Sequence, residues 1–155
     1  MKTSLVCLPI LLACSALFAD DKYVNETLGF EISSPTPGAI SGTYQSAIFY
    51  LPAVDGFAAN VNVQAQDFTG TMDQYKTVSE TQFKAAGIKV LNSKSDQGVL
   101  TIEYQGKMGN YDLHWYAKAY QKAGRVYLVT ATALQTRWND QGPALIKSVN
   151  TFKLK

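Results

Sequence analysis

His114 is the only histidine in this 155-residue sequence, so any Ser-His-Asp or Cys-His chemistry would have to run through it. It stands in Leu113-His114-Trp115, inside a segment that alternates apolar and polar residues, and the chain contains no Gly-x-Ser-x-Gly nucleophile elbow. A lone histidine in a strand serves packing or hydrogen bonding, and one imidazole with scattered carboxylates is too few ligands for zinc. Asp20-Asp21, Asp67 and Asp73 suit solvation and a helix N-terminus better than acid–base work. Gly106 and Gly109 read as a hairpin turn and do not form a phosphate loop. The expectation is therefore a chain with no catalytic residue, no cofactor and no metal site.

The informative row is instead His114, Tyr116, Lys118 and Tyr120, which period-two alternation places on one strand face, opposite Leu113, Trp115, Ala117 and Ala119. Aromatic rings interleaved with a cation make good protein-binding anchors. The competing reading is that a helix covers this face and the rings are core. Trp138 carries the same ambiguity between packing and ligand stacking.

Both cysteines, Cys7 and Cys14, fall in residues 1–19, MKTSLVCLPILLACSALFA, which read as a secretory signal peptide: one early Lys, an apolar run, then Ala19 before Asp20-Asp21-Lys22. The run is shorter than the about 20 residues of a membrane span. Cleavage after Ala19 would release a soluble periplasmic or secreted protein. Leu11-Leu12-Ala13-Cys14 alternatively resembles a lipobox, and lipidation at Cys14 would anchor the chain in the envelope membrane. Either outcome leaves a domain without disulfides or thiolate chemistry. Net charge is +2, or +1 once Lys2 is removed, and the charges are dispersed, which argues against nucleic acid.

These residues must be positioned by one domain, because apolar content of 46% and charged content of 17% describe an ordinary globular chain of single-domain length. A polar lead-in at 20–27 is expected to be mobile, and the domain to span 28–155. Strands are expected at 29–33, 47–51 and 59–66. In the last of these Val61, Val63 and Ala65 point inward, and Asn62, Gln64 and Gln66 outward. A helix follows at 72–86, capped by Thr71 with Gln74 as reciprocal partner; its apolar face is Met72, Tyr75, Val78, Gln82, Phe83 and Ala86. Strands at 88–93, 98–106, 111–121 and 125–134 are joined by turns short enough to force an antiparallel meander. A helix at 140–150 and a docked tail through Phe152 and Leu154 close the chain. Strands in runs with single helices predict an α+β fold, an antiparallel sheet flanked by helices.

Leu28-Gly29-Phe30-Glu31-Ile32-Ser33-Ser34-Pro35 resembles the opening of PsbP-like domains, a group that includes DcrB-like lipoproteins and the Ran-binding Mog proteins. Arg125-Val126-Tyr127-Leu128-Val129-Thr130-Ala131-Thr132 is similar to the family's late strand. Arg137-Trp138 with Leu145 to Leu154 is similar to its closing helix and "SF-x-L" end, with Thr151 in place of Ser. The resemblance covers 28–154 and implies an α/β/α sandwich of PsbP type whose members act by binding other proteins; no enzymatic residues come with it. The functional expectation is an exported, non-catalytic binding or accessory protein of the bacterial envelope whose partner is another envelope protein. The alternative is a small-ligand carrier with an aromatic-lined pocket between sheet and helix.

Overall fold

The computed structural model describes residues 22–36 and 47–155 in full, and the backbone alone at 40–41. Residues 1–19, expected to be a signal peptide, with Cys7 and Cys14 among them, lie outside these residues. Along the described chain the elements are β1 (Lys22–Asn25), β2 (Phe30–Ser33), β3 (Ile40–Ser41), β4 (Ala47–Tyr50), β5 (Asn60–Asp67), α1 (Met72–Ala85), β6 (Lys89–Asp96), β7 (Val99–Met108), β8 (Tyr111–Lys122), β9 (Arg125–Leu134), a 3-10 turn (Gln135–Arg137), α2 (Trp138–Asn150) and β10 (Lys153–Leu154).

Seven strands pair antiparallel in the order β3-β4-β5-β9-β8-β7-β6. The meander is set by its turns. Gln97-Gly98 and Ala123-Gly124 each place two consecutive residues at positive φ, as a type I′ hairpin requires, and each has glycine where the larger φ falls. The turn after β6 is consequently two residues long. The strand runs on through Lys94 to Asp96, beyond the end expected from composition. β6 is an edge strand, mostly polar, and its register slips between Val90 and Asn92, leaving Leu91 42% exposed.

Alternation sorts the sheet into two faces. On one, Val61 and Val63 of β5 and Val129, Ala131 and Ala133 of β9 pack against Leu145 and Val149 of α2 and against Phe30, Ile32 and Phe152. On the other, Leu100 and Ile102 of β7 and Leu113, Ala117 and Ala119 of β8 pack under Met72 and Tyr75 of α1. This is the expected α+β sandwich, with a core on either side of an antiparallel sheet. The Thr71 and Gln74 capping box is present at α1. Val78, expected on the buried face of α1, is 45% exposed, and Ser79 is buried instead. The buried positions Met72, Tyr75 and Ser79 follow helical spacing that Val78 misses by one residue.

The ends of the described chain depart from expectation. Lys22–Asn25, expected within an unpaired lead-in, is a strand antiparallel to β2, with Tyr23 opposite Ile32. Its polar composition hid one anchoring ring, since Tyr23 meets Phe30 and Phe49 at 6.1 Å each. β10 pairs with the other edge of β2, so a small sheet in the order β1-β2-β10 stands apart from the large one. Beyond Lys153 opposite Glu31, a hydroxyl of α2 and one on the residue just past it continue the ladder: Ser33 N–H donates to Thr151 Oγ1 at 2.8 Å, and Ser148 Oγ donates to the Ser33 carbonyl at 2.5 Å.

Candidate functional site

His114, Tyr116, Lys118 and Tyr120 do share one face of β8, the face that carries α2, but their surroundings differ along the strand. His114 is 8% exposed; its ring stacks on the Trp138 indole at 4.1 Å and 14°, and Nε2 lies 2.8 Å from Glu103 Oε1. These two contacts hold the imidazole ring in place between an indole and a carboxylate. Trp138 sits at the start of α2, and the helix therefore covers this end of the row. Burial first, and the Glu103 charge second, push the Tyr116 phenol up.

The other end of the row is open. Tyr120 packs on Phe152 at 4.9 Å, and burial, with a smaller contribution from Tyr116, pushes its phenol up to about 12. Beyond it Lys118 and Tyr120 border a cleft of about 320 Å³, with Lys94, Asp96 and Thr101 of the neighbouring strands. The aromatic-and-cation pairing is thus half-buried at Lys118 and Tyr120, beside the cleft, and enclosed at His114. Among the described residues no three His, Cys, Asp or Glu side chains gather closely enough to hold a metal ion.

The opposite face holds a second concavity that sequence patterning missed. α1 lies over β6 and β7 and leaves the β4-β5-β9 side less covered. Between α1 and the sheet the enclosed space is about 30 Å³, room for about one water and no organic ligand. Beside the helix the space opens to a cleft of about 360 Å³. Its floor is a strip of uncharged polar residues across two strands, Asn60 opposite Thr132 and Asn62 opposite Thr130, followed by Gln64. Asn62, Thr130 and Thr132 are buried, although alternation alone sends Asn62 outward to solvent. Residues outward from one core face the other layer in a three-layer fold, and that is the signal alternation cannot carry.

One wall of this cleft is aromatic. Phe83 of α1 stacks on Tyr104 at 4.4 Å, and Tyr104 stacks on Trp115 at 5.1 Å and 20°. Burial pushes the Tyr104 phenol far up, and its hydroxyl bonds Thr130. Asn62 donates Nδ2 to Asn60 Oδ1 at 3.3 Å, Asn60 donates to the Ala58 carbonyl, and Asn62 Oδ1 is buried without a partner.

The two most strongly raised phenols, Tyr104 and Tyr120, are expected to make stability alkali-sensitive. An unfolded tyrosine ionises near its ordinary 10.0, while folded Tyr104 and Tyr120 hold their protons to higher pH. Above about pH 10 the unfolded chain therefore sheds protons that the folded chain keeps, and stability falls as pH rises through about 12. Urea midpoints measured across this range are expected to drop. Tyr104→Phe with Tyr120→Phe should flatten the drop, and an unchanged slope would contradict the assignment.

No family model matches the chain, and no curated protein matches it in sequence. Two solved structures are similar in fold. Cyanobacterial PsbP (CyanoP) from Synechocystis sp. PCC 6803 aligns with a TM-score of 0.63 at 16% identity, covering 94% of this chain and 99% of that one. PA94 from Pseudomonas aeruginosa, a protein of unknown function and candidate regulator, aligns at 0.59 and 17% identity, covering 86% and 96%. The seven-stranded antiparallel sheet between two helices, aligned over nearly its whole length with CyanoP, has the PsbP-like fold.

Proposed function

We propose that this chain is an exported, non-catalytic accessory or regulatory protein of the bacterial envelope that acts by binding another protein. The observation that carries this reading is the PsbP-like fold across 94% of the chain. The cleft bordered by the half-buried Lys118 and Tyr120, with the exposed Lys94 beside them, is the contact surface in this reading. Export rests on residues 1–19; no helix among the described residues is long and apolar enough to cross a membrane.

A photo-crosslinker placed at Lys94 in cells is expected to trap one discrete envelope partner, and one placed at Val78, exposed on α1, is not. Lys118→Glu should weaken that association by about tenfold, the effect of losing one anchor of more than 1 kcal/mol. Equal crosslinking from both positions, or none, would count against this surface. Intact-mass analysis of the native protein tests export separately: it should begin at Asp20 or at a lipidated Cys14.

The second reading, a small-ligand carrier, draws on the cleft floored by Asn62 and walled by Trp115. The space lies beside α1 and not beneath it. Native mass spectrometry of protein from its own host should then show a retained ligand mass.

A further inference from the structure

The sheet face that carries α2 is only partly covered. α2 packs chiefly on β9, with lesser contacts to β5 and β8, so β7 and β6 extend beyond it. Register places two rows of side chains on this stretch: Lys94, Thr101 and Lys118 across β6, β7 and β8, and beside them Asp96, Val99 and Tyr120. These residues line the cleft of about 320 Å³.

The charges in the cleft do not balance. Lys94 Nζ lies 3.1 Å from Asp96 Oδ2, so these two offset each other. Glu103, one row further along β7, is taken up by His114. Lys118 has no ion pair and no hydrogen bond. Among the described residues it is the one half-buried basic side chain without an acidic partner; the other unpaired lysines are exposed. The Tyr120 hydroxyl beside it also has no hydrogen bond, whereas the Thr101 hydroxyl is engaged by Tyr116. Any surface that closes on this cleft strips water from Lys118. A neutral surface leaves that cost standing, and a counter-charge offsets it.

We infer that the partner of this surface presents a single Glu or Asp carboxylate to the cleft, paired with the Lys118 ammonium and accepting a hydrogen bond from the Tyr120 hydroxyl. The cleft keeps one net positive charge, and a carboxylate carries one negative charge. A phosphate dianion would over-neutralise the cleft and face Asp96. An anionic lipid surface calls for a cluster of basic residues, which these dispersed charges do not form. Val99 and the Tyr120 ring give the methylene stem of an acidic side chain an apolar surface to lie on.

This inference rests on the protein-binding reading and names the chemistry of the partner. The test uses the full chain, isotope-labelled for NMR, and four probes at millimolar concentration. They are acetyl-valyl-glutamyl-valine amide, its glutaminyl counterpart, inorganic phosphate and phosphatidylglycerol vesicles. The glutamyl peptide is expected to shift the backbone amides of Thr101, Lys118 and Tyr120 saturably, and the glutaminyl peptide to bind about fivefold more weakly or worse. Lys118→Met keeps the stem without the charge and should cost the glutamyl peptide about fivefold, while Lys118→Arg should stay within about twofold. Lys84→Gln, which removes an exposed, unpaired charge on α1, should change nothing. The two peptides compared on the unsubstituted chain decide the point should Lys118→Met disturb folding. Equal binding of both peptides, indifference to Lys118→Met, or saturable binding of phosphate or vesicles in place of the glutamyl peptide overturns the inference. A partner trapped at Lys94 whose capture is unmoved by Lys118→Met would sink the carboxylate and spare the protein-binding surface; no trapped partner and no glutamyl binding would sink both.

Discussion

Phe30→Ala is expected to lower the unfolding free energy by about 3–5 kcal/mol, the range for removing a fully buried aromatic ring. Phe30 is 0% exposed, and its ring meets Phe152 at 5.3 Å, Tyr23 at 6.1 Å and Tyr127 at 6.4 Å. Those partners come from the last residues of the chain, the first described strand and the central β9. One truncation therefore opens a cavity where the small sheet meets the large one. Urea denaturation should show the loss. Hydrogen exchange should show faster opening of Lys22–Asn25, whose pairing to β2 is backed by that ring. Phe30→Leu, which refills most of the volume, should cost under about 2 kcal/mol. Equal effects of the two substitutions would mean the ring cluster carries no special share of the stability.

The second large effect is expected from Ser148→Ala combined with Thr151→Val, at about 2–4 kcal/mol for the pair. Ser148 is 2% exposed and gives its hydroxyl proton to the Ser33 carbonyl, while Thr151 accepts from the Ser33 amide and donates to the Ser148 carbonyl at 2.7 Å. Removing both hydroxyls leaves both backbone groups of Ser33 without those partners. Thr151→Ser keeps the acceptor and should be close to neutral, which gives the "SF-x-L" ending a physical reason: the position needs a hydroxyl, whichever side chain bears it. Thermal midpoints of the double variant and of Thr151→Ser decide the point, and comparable losses in both would refute it.

These contacts also show where residue patterns stop being informative. Alternation in β5 and β8 gave the correct faces, and the Thr71 and Gln74 pair gave the start of α1, because both are local signals that adjacent residues carry by themselves. The pairing of Lys22–Asn25 with β2 depends on a tertiary ring cluster, and nothing in Lys-Tyr-Val-Asn announces it. The row from His114 to Tyr120 could be read as one face. That Trp138 caps one end and leaves Lys118 open depends on where α2 begins, and strand periodicity is silent on that. The Asn62 cleft was hidden for a related reason. Polar residues opposite a valine row look like a wet surface until a helix is seen to shelter only part of them.

The two borders of the large sheet limit how any partner can approach. One border is the two-residue β3, and the other is β6, interrupted at Leu91 and carrying Lys89 and Lys94. Along β6 the interruption and the lysines leave no long, flat row of free amides and carbonyls on which a second polypeptide could be knitted as an added strand. At that border backbone addition is disfavoured, and an approaching surface meets side chains first.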